Sequence, residues 1–308
     1  MQTASRKHLV VFGCGYIGGE VSRQALERGF LVTALTRNPE KAATLRAVGV
    51  RVIVADLATD LWHARLQSEI DYVLNAVSAG GGGIEGYRHS YFAGMESIVR
   101  WATQRSSINT IVYTGSTSVY PQDKGVRVDE RASTEAVSEL PRVLLAAEQV
   151  LLKAASTSIE DSEPTTRKPA FNRAFVLRLA GIYGPERQHL IDQVRSGLVS
   201  GRGDNHLNLV HRADIAGAIW SAFESPSSVS GGVFNVADDG AATKQEIVAW
   251  LAQELGLPVP VFTGVPVAGR RAITPDRIID NQKLKSILGW RPSFPTFREG
   301  YKNMLALG

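Results

Sequence analysis

Apolar residues in the first half of the chain fall in short runs that alternate with longer stretches of helical period. This predicts an α/β fold, a parallel sheet covered by helices on both faces. Residues 9–12 form the first run. Gly13 follows, and an amphipathic pattern over 16–28 predicts a helix that Gly29 ends, as a glycine can without strain. Residues 31–35 read as the second strand and 39–48 as a helix with Pro39 in its first turn. Strands are expected over 50–55, 72–77 and 110–113, with a long helix over about 85–104 between the last two. A Leu- and Ala-rich helix is expected over 141–155. Residues 156–170 are polar and hold Pro164 and Pro169, so they read as a surface insertion. The sheet resumes over 174–179, helices follow over 214–223 and 244–255, and a strand lies over 233–236. From Leu257 onward prolines are frequent and periodicity is weak, which suits a small lobe over the sheet edge. Residues 1–180 plus about 205–237 are thus expected to form one domain, and about 181–204 with 238–308 a smaller lobe.

Between the first strand and the first helix stands Gly13-Cys14-Gly15-Tyr16-Ile17-Gly18, a G-x-G-x-x-G spacing. Its position gives it meaning. Gly13 permits a tight turn, Gly15 lets the backbone approach a pyrophosphate, and Gly18 lets helix and strand pack closely. The free N–H groups and positive end of the helix then face the phosphates. The pattern predicts a Rossmann-type doubly wound sheet, beside the smaller C-terminal lobe. NAD-binding turns usually place a carboxylate at the end of the second strand, where it bonds the ribose hydroxyls. Here Thr36-Arg37 stands there, and Arg37 suits a 2′-phosphate through a charge-assisted contact. NADP is the expected cofactor, with NAD as the alternative.

Further segments recur in a definite order. Val54-Ala55-Asp56-Leu57 follows the third strand, Leu74-Asn75-Ala76-Val77 ends the fourth, and Thr114-Gly115-Ser116-Thr117-Ser118-Val119-Tyr120 ends the fifth. Arg178-Leu179-Ala180-Gly181-Ile182-Tyr183-Gly184-Pro185, a segment around His211 and Asp214, and Leu288-Gly289-Trp290-Arg291-Pro292 come later. In this order they resemble the extended short-chain dehydrogenases/reductases of the NAD-dependent epimerase/dehydratase family, over nearly the whole chain. The resemblance implies a cofactor-binding set of Gly13, Gly15, Tyr16, Ile17, Gly18, Thr36, Arg37, Asp56, Leu57, Asn75, Ala76 and Val77. In the family the Asp of the third-strand segment approaches the adenine. The implied substrate is nucleotide-sugar-like, or another small polar carbonyl or alcohol.

The family's usual catalytic group is a Ser or Thr, a Tyr-x-x-x-Lys pair on the next helix, and an Asn on the long helix before it. A Glu four residues after the Lys marks that helix, and Glu148 matches it. Leu144 then stands at the Lys position, Leu140 at the Tyr position, and Tyr91 where the Asn is expected. Only Ser116 is retained. Leucine neither gives nor takes a proton, and acid–base help is worth roughly 10²–10⁴-fold in rate. Of the eight tyrosines, Tyr120 alone has a lysine four residues on, Lys124, between Pro121 and Gly125 as in a loop. Ser116, Tyr91 and Tyr120 are therefore the candidate catalytic residues, with Tyr183 and His211 in segments that the family fold brings near the substrate. Two readings follow. One is an oxidoreductase or epimerase-like enzyme, with Arg187, Arg195, Arg202, Arg270 and Arg271 available to anionic groups of its substrate. The other is a non-catalytic NADP(H)-binding redox sensor or regulatory protein.

Composition narrows the setting. No apolar run approaches the roughly 18–20 residues that cross a bilayer, and the polar stretch before residue 8 lacks the apolar core of a secretory signal. No membrane partner is expected. The net charge of +4 is spread without a Lys/Arg block, which argues against nucleic acid. Cys14 is the single cysteine, excludes an internal disulfide and suits a reducing, cytoplasmic location. It reads as a small filler in the turn. The six histidines show no H-x-x-x-H pair, so no metal is expected. Gly80-Gly81-Gly82-Gly83 lacks the Lys-Ser/Thr ending of a triphosphate loop and reads as a loop at the sheet's carboxyl edge. A small-molecule substrate is the expected partner, and a homodimer is admitted.

Overall fold

The computed structural model describes residues 6–66, 69–79, 81–105, 108–135, 137–156, 171–265 and 275–307. The insertion expected over 156–170 lies outside them beyond Ser156, as do Gly80, Arg270 and Arg271. Strands β1 (His8–Phe12), β2 (Leu31–Thr36), β3 (Arg51–Val54), β4 (Tyr72–Asn75) and β5 (Thr110–Ser116) join Arg173–Leu179 and Gly231–Val236 in one seven-stranded sheet. Its order is Gly231–Val236, Arg173–Leu179, β5, β4, β1, β2, β3. The ladder from β5 to β3 is parallel throughout. Every residue of β1 is buried, as a strand covered on both faces requires.

Five helices in this half are α1 (Tyr16–Glu27), α2 (Pro39–Ala47), α3 (Gly83–Tyr87), α4 (Gly94–Thr103) and α5 (Glu139–Ala155). Val10 and Phe12 share one core with Met95, Ile98 and Trp101 of α4 and with Ala147 and Leu151 of α5. Val11 points the other way, under α1, where a Cβ on Gly18 would lie 3.0 Å from its Cγ1. The sheet is therefore doubly wound. From β1 the chain runs to β2 and β3 on one side, and β4 and β5 lie on the other. The loops after β1 and β4 leave the sheet at that reversal, the place where open α/β sheets bind their ligands.

The helix expected over 85–104 begins earlier and is not uniform. Between α3 and α4 the backbone makes a π-turn, Arg88–Ala93, with an extra residue in its hydrogen-bonded ring. Such wide turns are rare and gather at functional positions.

The chain divides into two compact units. The first comprises Met1–Val119, Val137–Arg178 and Ile219–Val233; the second comprises Tyr120–Ala136, Leu179–Ala218 and Phe234–Gly308. Within the second unit, short ladders pair Gly181–Tyr183 with Leu209–His211 and Arg277–Ile279 with Val126–Val128. Its core gathers Leu190, Ile191, Ile247, Leu251, Phe297, Tyr301 and Met304. The weakly periodic tail after Leu257 forms helices Gln282–Leu288 and Phe297–Leu307. Each is so short that its buried stripe is only two or three residues: Leu284 and Leu288 in one, Phe297, Tyr301 and Met304 in the other. Among the described residues no helix is long and apolar enough to cross a membrane.

Candidate functional site

The turn after β1 is held by close backbone packing. Gly13 has φ +81°, and a Cβ there would lie 2.4 Å from the Val77 nitrogen. Gly18 meets the Gly13 carbonyl at the same 2.4 Å. Both positions must be glycine for the protein's own sake. Gly15 differs: it is exposed, and the nearest atom to a Cβ there is the Gly13 oxygen at 4.0 Å. It stands at the N-cap of α1, where no side chain caps the helix and the first turn holds no carboxylate. By contrast Asn38 caps α2, its Oδ1 accepting from the Lys41 amide at 3.0 Å. The start of α1 thus offers backbone N–H groups and a positive dipole end beside open space. Ile17 turns into the core, and Tyr16 is half-buried. Cys14 is buried, its Sγ 3.4 Å from Ser22 Oγ, and burial pushes its thiol pKa up.

Ala76 and Val77 pack directly against this turn. The Ala76 amide donates to Phe12 O at 2.8 Å, which ties the end of β4 to the end of β1. Asn75 is fully buried, and its Oδ1 accepts weakly from the Val77 amide at 3.4 Å, fixing the bend. Leu57 is buried and packs where Gly94 has no side chain.

At the ends of β2 and β3, Arg37 Nη1 lies 3.9 Å from Asp56 Oδ2. Thr36 Oγ1 accepts from the Asn38 amide at 3.2 Å. Asp56 is partly buried, which opposes its charge. The Ala58 amide, His89 and Arg37 outweigh that and hold its carboxyl below the usual range. His89 was not anticipated. It lies 33 residues from Asp56, on the π-turn, and no local signal in the sequence joins the two.

Around the end of β5, Ser116 is half-buried and its Oγ accepts from the Ser118 amide at 3.2 Å. Tyr91 lies on the π-turn, 5.0 Å from the Tyr87 ring, with its phenol bonded by the Ala79 backbone in the loop after β4. Burial pushes the Tyr91 pKa up, with Tyr87 adding to the effect, so the group keeps its proton. Leu144 is buried and Leu140 half-buried on α5. One turn further, Glu148 pairs with Arg178 in a buried fork whose shortest contact is 2.6 Å. A Cβ on Gly115 would lie 3.0 Å from Glu148 Oε1, so the glycine before Ser116 makes room for this ion pair. Burial raises the Glu148 pKa, and Arg178 opposes the rise. The hydroxyl of Tyr113, also on β5, is wholly buried without a hydrogen-bond partner among the described residues.

In the second unit Tyr120 is 1% exposed and its hydroxyl donates to Asn235 Oδ1 at 2.8 Å. Lys124 is exposed and takes φ 63° in its turn. Tyr183 and His211 are buried with ring centroids 5.3 Å apart, and Gly300 has no Cβ where the Tyr183 hydroxyl lies. The structure thus gathers Gly13–Gly18, Thr36, Arg37, Asp56, Asn75–Val77, Tyr91 and Ser116 at the carboxyl ends of parallel strands in the first unit. Tyr120 belongs to the second unit.

The pattern described as the NAD dependent epimerase/dehydratase family matches residues 9–237. Protein YeeZ of Escherichia coli (strain K12) is 24% identical over 295 residues, covering 94% of this chain and 97% of that protein. The solved structure of MoeE5 in complex with UDP-glucuronic acid and NAD is similar with a TM-score of 0.78 and 21% identity, covering 96% of each chain. UDP-glucuronic acid 4-epimerase from Bacillus cereus, in complex with UDP-glucuronic acid and NAD, gives 0.77 and 18%, covering 98% of this chain and 100% of that one. Both likenesses are of fold.

Proposed function

The chain belongs to the NAD dependent epimerase/dehydratase family, and from that premise we propose that it binds a nicotinamide dinucleotide, NADP in preference to NAD, and works as an oxidoreductase or epimerase on a small polar carbonyl or alcohol of nucleotide-sugar kind. Gly15 carries this reading. Protein packing explains Gly13 and Gly18, whereas Gly15 is left bare beside an uncapped helix end. A diphosphate fits that cradle, and a side chain would fill it.

The bound dinucleotide supplies hydride transfer at its nicotinamide. This chain's residues do the rest. The amides opening α1 hold the diphosphate, and Arg37 pairs with the 2′-phosphate. Ser116 positions the substrate oxygen. Tyr91 keeps its proton through neutral pH, so it serves as a donor rather than a base. Tyr120, committed to Asn235, supports the second unit. Dinucleotide binding is assigned to the first unit and substrate-binding residues to the second, in a cytoplasmic protein. The NAD and UDP-sugar held by the solved relatives support the same classes of cofactor and substrate.

Leu140 and Leu144 on α5 favour a second reading, a redox sensor that binds NADP(H) without turning it over. The two readings part on one assay. NADPH consumption with carbonyl substrates, cut at least about tenfold by Ser116→Ala, supports the enzyme. Tight NADPH binding with no turnover on any sugar nucleotide supports the sensor. Arg37→Ala should weaken NADPH far more than NADH in calorimetry; equal losses would reject its role.

A second copy of the chain is the proposed partner of a groove of about 530 Å³ between α3, the π-turn and α5. Ile84, Phe92 and Val143 help line it, and Glu85/Arg88 and Glu139/Arg142 rim its two walls in the same Glu-x-x-Arg order. A twofold arrangement sets acid against base across such a groove.

A further inference from the structure

Asp56 sets an electrostatic conflict beside an Arg37 that is to hold a phosphate. A carboxylate next to a guanidinium competes for its donors and repels the incoming anion. Here both carboxylate oxygens are already engaged. Oδ1 accepts from the Ala58 amide at 3.0 Å, and Oδ2 lies 2.9 Å from His89 Nε2, which carries the proton in that contact. Arg37 Nη1 stays 3.9 Å from the same Oδ2, beyond hydrogen-bond length, with its side chain 59% exposed. Arg88, adjacent to His89, is drawn off by Glu85 at 2.9 Å. The imidazole alone therefore reaches the carboxylate from this turn of the helix, among the described residues. The π-turn contributes, because its extra residue changes which side chains share a face with α3 and which with α4.

Resting on the cofactor reading above, we propose that His89 is a positioning residue for cofactor choice: it occupies Asp56 and so leaves Arg37 to the 2′-phosphate of NADP. Without the imidazole, Asp56 is expected to close on Arg37 as an ordinary ion pair. The phosphate would then have to displace a carboxylate before it could bind. NAD, which has a hydroxyl in place of that phosphate, would be little affected.

Calorimetric titration of the full chain with NADPH and with NADH tests this. His89→Ala should weaken NADPH about tenfold, the scale of one charged hydrogen bond, and NADH by less than about twofold. His89→Gln, whose amide still donates to Asp56, should stay near the unaltered protein. Adding Asp56→Asn to His89→Ala should restore the ratio of NADPH to NADH affinity, since a lost adenine contact would weaken both dinucleotides alike; a merely structural histidine would not show this rescue. An unchanged ratio of NADPH to NADH affinity in His89→Ala, or no recovery in the double variant, overturns the proposal. Failure of the unaltered protein to bind either dinucleotide is a different result: it overturns the cofactor reading, and the role of His89 with it.

Discussion

Three glycines in one turn answer to different demands. Gly13 combines φ +81° with a backbone neighbour 2.4 Å from any Cβ, whereas Gly15 has φ −92° and nothing closer than 4.0 Å. Gly13→Ala is accordingly expected to cost at least about 3 kcal/mol of stability, through clash and strain together. Gly15→Ala should leave the thermal midpoint within about 2 °C and still lower dinucleotide affinity at least about tenfold, since a methyl group would enter the phosphate cradle. Thermal melts and calorimetry on the two variants separate these effects; equal loss of stability in both would show that Gly15 is a packing glycine. The G-x-G-x-x-G spacing alone does not separate them, because the distinction lies in what the loop after β4 places against each residue. The same holds for Tyr120. It carries the chain's one Tyr-x-x-x-Lys spacing, yet its hydroxyl is taken by Asn235, 115 residues away.

Among the elements, apolar period identified the helices that cover the sheet and overlooked two features. The π-turn at Arg88–Ala93 was invisible because one extra residue does not interrupt a run of helix-forming residues. The short tail helices were invisible because two or three apolar positions make no recognisable period. Those helices bear on a pH effect. Asp214 opens the helix Arg212–Phe223 and accepts from the Ser293 and Phe294 amides just before the last helix. Burial pushes its pKa up to about 6, against those amides. Burial also pushes Asp238 up to about 7, with Asp239, Asp214 and Glu299 adding to the rise. Both carboxyls bind protons more tightly in the folded chain than in the unfolded one, where a value of about 3.9 applies. Between about pH 4 and 7 the folded state therefore holds the extra protons. Stability falls as pH rises through that window and levels off above it, on the order of 4 kcal/mol for Asp238 if it acts alone. Denaturant unfolding at pH 5 and pH 8 should show this loss, and Asp238→Asn should reduce it. An equal loss in the variant would remove Asp238 as the cause.

For the molecule as a whole, the strand order reverses between β1 and β4, and the proposed dinucleotide site lies at the carboxyl ends of the strands there. If the groove beside α5 seats a second copy, light scattering after gel filtration should give the mass of two chains, and Arg142→Glu should return it to one without changing the circular dichroism. A single-chain mass in the unaltered protein would reject that assembly. Local order was legible from residues alone: the strand–glycine–helix start, and Thr36-Arg37 rather than a carboxylate at the end of the second strand. Such features depend on backbone preference and on neighbours a few positions apart, which the chain states directly. The meeting of Arg37, Asp56 and His89, the burial of Glu148 on Arg178 and the different duties of the three glycines were decided only by tertiary structure. They join residues on separate strands and helices. Which of these come within a few ångströms depends on strand order, register and one widened helical turn, and no local period encodes those.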